Sequence, residues 1–549
     1  MSVSKSETIC YFSAEIGLSS SLPTYSGGLG VLAGDHLKAG ADLGIPIVGI
    51  TLLYRHGQGI QRIDKVGEQR ERWNNFNPNG ILKKEEAEVV LSIDKHDVVV
   101  QIWSKTISGV KGGKNKVFFL DVGHERNHSE IRELGNRLYG GGTKIRIRQE
   151  YILGLGGIKA IKELGLWPIK GIHLNEGHTA FTSLGLIEEG YTIDEIRGKL
   201  HFTTHTPVPA GHDVFEMEEV ETVLGKEHTD FCKQFATDGK LSMSHLAINV
   251  SQSCNAVSKL NAVVASDMFP NKKIAPITNG VHHLTWTSTP MAKLYDQEIP
   301  TWRESPDDLS GINNVENNKI QKAHLLAKKS LLRYANSMSG RGLSPDLLTI
   351  CFARRMVEYK RPNLILQDIE RLTDICSNKV QFIFAGYAHP SNTEGKKIIK
   401  ELNLATELFG ENINFVYLEN YSMWLGSKLV SGADIWLNNP IRPLEACGTS
   451  GMKAAMNGGL NLSISDGWWD EEAKDGINGW IIGDKENRAD DAQDAKHIYE
   501  KLENEIIPLW ENDKNKWTEM MKSAISTSSK MTAKRMIKEY QNYYSYFTN

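Results

Sequence analysis

Short, continuously apolar runs punctuate the chain. In the first half they are "PIVGITLLY", "DVVVQIW", "KVFFLDV", "IKGIHLN", "KLHFTTH" and "NAVVASDMF"; in the second, "LLTICFAR", "KVQFIFAG", "INFVYLEN", "ADIWLNN", "GLNLSIS" and "GWIIG". Most lack polar alternation, which is the pattern of strands buried on both faces. Between them lie stretches with helical spacing, such as "VLAGDHLKAGADLG" and "IQKAHLLAKKSLLRYA". Strand and helix alternating in this way predict parallel, doubly wound sheets of the α/β class. Two such sets are present. The pattern breaks after "ITNGVHHLTW" into "TSTPMAKLYDQEIPTWRESPDD", so the expected domains are residues 1–285 and 286–549. From about Lys516 the tail reads as helix only, expected to pack back toward the first domain. Paired Rossmann-like domains bind ligands in a central cleft beyond the carboxyl ends of their strands. Functional side chains are therefore expected just after strands.

Composition narrows the class. A chain of 549 residues is too long for one hydrophobic core. Apolar residues at 40% and charged residues at 24% are ordinary for a globular protein. A net charge of −4 gives no general case for nucleic acid or anionic membrane as partners. The six cysteines are scattered, without a CxxC pair or zinc spacing, as expected of reduced thiols in the cytoplasm. No apolar run approaches about 18 residues, and the N-terminus lacks a leader pattern, so neither a membrane span nor a signal peptide is expected.

Four stretches carry candidate chemistry. "YSGGLGVLAGDHLKAGADLG" places glycines before a helix, where Gly28 and its neighbours offer backbone N–H groups to an anion; a plain tight turn explains the same residues. "IHLNEGHTAF" and "FTTHTPVPAGHD" put Glu176, His178 and His205 at strand ends. Their spacing matches no zinc template, so no metal is expected, and histidines that orient a polar ligand, or that are simply satisfied in a loop, fit better. "FARRMVEYKRP" clusters Arg354, Arg355, Lys360 and Arg361 after a strand. Cations gathered at one strand end call for an anion, and phosphate is the natural one. "EACGTSGMKAAMN" sets Lys453 in a glycine-rich helix start. Such a lysine is either a solvated cap or a Schiff-base lysine for pyridoxal phosphate.

These motifs, with "YFSAEIGL", "RLYGGGTKIRIRQE", "ITNGVHHLTW", "LENY" and "GGLNLSISDGWWDE", run in the order found in α-glucan phosphorylases. The chain resembles the glycogen and maltodextrin phosphorylase family over most of its length. The resemblance implies a GT-B-type fold and a retaining phosphorolysis of α-1,4-glucan by inorganic phosphate, giving α-D-glucose 1-phosphate. It implies pyridoxal 5'-phosphate on Lys453, with Thr449, Ser450, Tyr421, Arg354 and Gly28 around the cofactor. Arg355 and Lys360 match the residues that hold substrate phosphate, and Gly28 also offers it an N–H. Glu445 and Tyr359 match those on sugar hydroxyls, and His205 and Asn279 match the pair near the 6-hydroxyl. Lys453, Arg355, Lys360 and His205 form the catalytic set. Two neighbouring phosphates repel unless cations and N–H dipoles surround them, which accounts for so many cations in an acidic protein.

Several positions depart from the family pattern. Arg354 replaces a frequent lysine, Cys447 a small polar residue, Tyr387 a lysine, and Gly142 an acid common in short relatives. The chain is shorter than the animal and yeast enzymes, so nucleotide or phosphorylation control of their kind is not expected. A nucleotide-sugar-dependent glycogen synthase shares the two-domain plan but has no use for Lys453. A catalytically silent glucan-binding protein would bind glucan without phosphate-dependent turnover. Monomer and homo-oligomer both stay open.

Overall fold

The computed structural model describes residues 7–208, 211–484 and 490–547. The chain divides into two compact units. The first holds residues 1–58, 73–278 and 533–549; the second holds residues 59–72 and 279–532. The boundary expected near residue 285 thus falls inside the second unit, and each unit borrows a segment from the other's stretch of sequence.

The first unit is built on strands β1 (Ile9–Phe12), β2 (Ile47–Leu52), β3 (Lys83–Ile93), β4 (His96–Ser108), β5 (Lys114–Asp121), β6 (Gly171–Asn175), β7 (Leu200–Thr203), β8 (Ser253–Ala256) and β9 (Ile274–Pro276). They form one sheet in the order β9-β8-β7-β6-β1-β2-β5-β4-β3. Alternation across the pleat explains the continuous apolar runs. In β1, Ile9 and Tyr11 enter one core while Cys10 and Phe12 enter the other. In β5, Val117 and Phe119 split from Phe118 and Leu120 in the same way. A strand covered on both faces has no polar side to display.

Two sequence expectations fail here. The sheet is mixed, because β3, β4 and β5 form an antiparallel meander; close hairpin turns make that pairing possible without a crossover helix. "NAVVASDMF" is not a strand. It lies in the helix Lys259–Met268, whose start is capped by Ser258, its Oγ accepting from the Asn261 N–H at 3.1 Å. Asn261, Ala262 and Ala265 line that helix's buried face, while the β-branched Val263 points outward, 59% exposed. The strand is supplied by "SCNA" instead, which pairs with β7 on one side and with the edge strand β9 on the other.

The other core of the first unit lies under helix α1 (Gly28–Leu43) and the C-terminal helix Ala533–Tyr544. Glycine is required along α1 where it meets the 15–17 loop. A Cβ on Gly34 would lie 1.9 Å from the Gly17 carbonyl oxygen. Helix α2 (Thr143–Tyr151) starts at the Gly142 N-cap, which has no side chain to accept a capping bond.

The second unit contains β10 (Leu348–Arg355), β11 (Val380–Tyr387), β12 (Asn414–Leu418), β13 (Ile435–Asn438), β14 (Leu460–Ile464) and β15 (Gly479–Ile482). Every pair is parallel, in the order β12-β11-β10-β13-β14-β15. This is the doubly wound Rossmann order, which reverses direction between β10 and β13. Helix α3 (Thr449–Met456) follows β13. An antiparallel hairpin, Ile60–Ile63 with Gln69–Arg72, belongs to this unit through two buried glutamines. Gln61 Nε2 donates to the Gly386 carbonyl and Gln69 Nε2 to the Ala388 carbonyl, each at 2.8 Å. Both amides thus complete backbone groups at the end of β11.

Candidate active site

The switch point between β10 and β13 is where a sheet of this order leaves an open crevice past its strand ends. Both neighbouring strands deliver sequence-predicted residues there. Strand β10 ends in Arg354 and Arg355, whose side chains point to opposite faces of the sheet. Arg355 is exposed and has no ion-pair partner among the described residues. Arg354 is drawn inward, and its Nη2 donates to Glu445 Oε2 at 2.5 Å. Lys360 Nζ donates to the same oxygen at 2.8 Å. Burial works to raise the Glu445 carboxyl, but these two cations override it and hold its pKa at about 2. Arg354 Nε and Nη1 are buried with no hydrogen-bond partner. Two unfilled guanidinium donors in a buried setting are costly unless an acceptor reaches them.

Lys360 also lies over the Tyr359 ring, 4.5 Å from its centroid. Arg361, counted at the sequence stretch "EYKRP" with the phosphate-seeking cations, does different work. Its guanidinium donates to the Asn439 and Pro440 carbonyls at 2.9 and 3.0 Å and pairs with Asp491 and Asp494. It is 4% exposed and anchors the loop after β13, which leaves Arg354 and Lys360 as the cations gathered on the Glu445 carboxylate.

That loop leads through Glu445 to Gly448, which caps α3 at φ +81°. Left-handed backbone suits glycine, and it turns the chain so that the first-turn N–H groups of Thr449 and Ser450 point out of the helix end. Ser450 Oγ accepts from Trp436 Nε1 at 3.1 Å. Gly451 has a separate cause: a Cβ there would lie 2.3 Å from Asn461 Oδ1, so its bareness lets α3 pack on β14. Lys453 is 7% exposed, and its ammonium sits 3.7 Å from the centroid of the Trp286 ring. Asn457 secures this contact, donating from Nδ2 to the Trp286 carbonyl at 2.8 Å and to the Lys453 carbonyl at 2.9 Å. Lys453 is therefore no solvated cap. Tyr421 is half-buried before the helix Met423–Gly432 and packs over Gly426, and Asn279 is buried at the start of this unit.

Gly28 and His205 belong to the first unit. Gly28 opens α1, and no atom comes within 4 Å of where its Cβ would be. The N–H groups just before it are already used: Ser26 and Gly27 donate to Glu15 Oε2 at 2.6 and 3.1 Å. Glu15 Oε1 accepts from the Tyr139 hydroxyl at 2.9 Å. His205 Nε2 shares a 2.7 Å hydrogen bond with Asn175 Oδ1. Burial pushes its imidazole pKa down, and the Glu176 carboxylate partly offsets this. Glu176 Oε2 accepts from the His205 and Thr206 N–H groups and the Thr206 hydroxyl, at 2.9, 3.1 and 3.2 Å. His178 Nε2 accepts from the Ala14 N–H at 3.0 Å. Glu176 thus organises the His205 loop rather than presenting a carboxylate outward.

Sequence reasoning missed Glu15, Trp286 and Asp466. Lone acids and a lone tryptophan carry no spacing signal. Only "SDGWWDE", with its Asp-Gly turn after a strand, hinted that Asp466 lies at the same sheet edge.

The family model for carbohydrate phosphorylases matches residues 217–471. A maltodextrin phosphorylase of Thermococcus litoralis is 38% identical over 97% of this chain and 70% of its own. A glycogen phosphorylase of Aquifex aeolicus is 36% identical over 97% of this chain and 85% of its own. A glycogen phosphorylase of Mycobacterium tuberculosis is 34% identical over 98% of this chain and 70% of its own. With near-complete coverage at such identity, the chain belongs to the carbohydrate phosphorylase family.

Proposed function

We propose that this protein is a pyridoxal-phosphate-dependent α-glucan phosphorylase. It removes terminal α-1,4-linked glucose from glycogen, starch or maltodextrin with inorganic phosphate and releases α-D-glucose 1-phosphate, in the cytoplasm. One observation carries the reading: buried Arg354 keeps Nε and Nη1 without partners beside Lys360 and the exposed Arg355. A cation cluster with spare donors is built for more anion than Glu445 supplies.

The residues fit the cofactor. Lys453 is buried against an indole face, as an amine kept from solvent should be, and the α3 helix start with its Gly448 turn suits a phosphate. Lys453 would hold the aldehyde end, and the Thr449 and Ser450 N–H groups, Tyr421 and Arg354 the remainder. When bound, pyridoxal phosphate supplies a second phosphate that exchanges a proton with the substrate phosphate.

The chain's own residues then do the following. Arg355 and Lys360 hold inorganic phosphate, and Gly28 adds an N–H donor. Glu445 holds Arg354 and Lys360 together and oriented, and with Tyr359, Asn279 and His205 it takes sugar hydroxyls. Phosphate so held protonates the glycosidic oxygen. The bond opens to an oxocarbenium-like sugar, and a phosphate oxygen closes on the same face of C1, which retains configuration. No pair of protein carboxylates is needed as in a glycosidase.

The test is release of glucose 1-phosphate from maltodextrin, with and without phosphate and added pyridoxal phosphate. Phosphate-dependent release is expected. Lys453→Ala should lose both activity and the cofactor's absorbance. Active protein that carries no cofactor, or glucan cleavage indifferent to phosphate, refutes the reading.

A further inference from the structure

Asp466 follows β14 and is 2% exposed. Its two oxygens serve two backbone donors. Oδ2 accepts from the Glu445 N–H at 2.9 Å, and Oδ1 accepts from the Gly467 N–H at 2.8 Å. The loop it opens is sewn to the Glu445 loop a second time, since the Trp468 N–H donates to the Cys447 carbonyl at 2.9 Å. Gly467 permits that closeness: it stands at φ +55°, and a Cβ there would lie 2.2 Å from the Cys447 oxygen. Arg442 closes the far side, its Nη1 donating to the Ser465 carbonyl and, at 2.8 Å, to Asp470 Oδ1. The charged groups facing Asp466 are therefore Glu445, itself held by Arg354 and Lys360, and Arg442 paired with Asp470.

We propose that Asp466 is a positioning residue for Glu445: its ionised carboxylate holds the Glu445 backbone, and so sets the carboxylate shared by Arg354 and Lys360 where it meets the sugar, while its protonation loosens that hold. The inference rests on the phosphorolytic reading above. An ionised carboxylate accepts through both oxygens, whereas a carboxyl group commits one oxygen to an O–H. One of the two stitches then weakens. Burial first, and the neighbouring Glu445 charge as well, push Asp466 up, the two N–H donors and Arg442 push it down, and its pKa settles at about 7. The hold is thus complete in mild alkali and fades as pH falls through neutrality. Loss of about an ångström in the placement of a substrate-binding group costs up to roughly 10²-fold in rate, so partial loosening is expected to cost about ten-fold.

Asp466→Asn places a neutral isostere there at every pH. Wild-type and variant holoenzymes are compared for maltodextrin phosphorolysis across about pH 6 to 8.5. Taking the ratio of the two cancels the ionisation of phosphate itself, which both enzymes see alike. The wild-type/variant ratio of kcat/KM for glucan should be near one at about pH 6 and climb through about pH 7 to roughly ten-fold, with the KM for phosphate little changed. A pH-independent ratio in an active wild type overturns this inference alone, as does a change confined to the phosphate KM. Absence of phosphate-dependent turnover in the wild type overturns the functional reading, and this inference with it. A second arm needs no variant: calorimetry of maltodextrin binding to wild type without phosphate, in buffers of different ionisation heat. Proton release near pH 7 is expected, and none overturns the proposal even if the asparagine variant does not fold.

Discussion

Replacing Glu445 by glutamine tests whether one carboxylate holds the cation cluster together. Glu445 Oε2 takes both Arg354 and Lys360, and its pKa stands at about 2 against an ordinary 4.5. At about 1.4 kcal/mol for each pH unit, that interval corresponds to roughly 3 kcal/mol of stability. The sign follows from the depressed value. The stabilisation is complete above about pH 4.5, where the unfolded chain would also be ionised, and is lost as pH falls toward 2. Glutamine keeps the shape and one acceptor oxygen but leaves two buried cations facing a neutral group, a loss of the size expected for breaking a buried pair. The urea midpoint of the second unit, followed by tryptophan fluorescence at pH 7, should fall by the equivalent of about 3 kcal/mol. Trp468 and Trp469, both 1% exposed, report on the loop next to Glu445. The deficit should shrink below about pH 4.5. Phosphate should recover more stability in the variant than in the wild type, because it binds a folded state that lacks one anion. Equal stability of the two proteins at pH 7, with no difference in their response to phosphate, would refute the reasoning.

Three other outcomes follow from the structure. Gly142→Asp supplies a side-chain acceptor to α2 at φ −85°, where nothing lies within 4 Å of the new Cβ; thermal unfolding should show a gain of about 0.5–1 kcal/mol. Gly467→Ala forces a Cβ against the Cys447 carbonyl in a left-handed conformation and should cost about 2 kcal/mol or more, read by the same melt. In the first unit, burial holds His36 at about 3 and His201 at about 4, so stability should be full above about pH 6.5 and decline in acid as the unfolded chain takes up protons these rings refuse; urea midpoints at pH 7 and 5 should differ less in His201→Gln than in the wild type.

The legible part of the active site was the part with local pattern. Arg354, Arg355 and Lys360 stand within one short stretch after a strand, and Lys453 stands within one glycine-rich helix start, so spacing alone marked both. The resemblance to phosphorylases then linked these stretches. Arg361 looked the same in sequence as its neighbours. Only the return of the loop after β13, with Asn439, Pro440, Asp491 and Asp494 around its guanidinium, gave it a structural role. Asp466 was silent because its partners are backbone N–H groups, one of them brought from a different strand end.

By itself, the sequence determined the α/β class and most strands of the second unit, because strands buried on both faces must be apolar throughout and that run is visible in one dimension. It also determined where the cations and the lysine enter, since loops follow strands. Tertiary structure alone decided which unit receives the 59–72 hairpin and the final helix. Gln61 and Gln69 look solvent-facing in an alternating polar stretch, yet they are buried because the ends of β11 offer backbone groups that need partners. Tyr540 and Tyr544 of the final helix are held by a distant cluster, with the Tyr544 hydroxyl 3.0 and 2.8 Å from His36 and His173. The antiparallel meander and "NAVVASDMF" have nearer causes: close hairpin turns in the first, and in the second a cap at Ser258 that outweighed β-branched residues. For the 59–72 hairpin and the final helix, the deciding partner lies far along the chain, in a group that local composition does not encode.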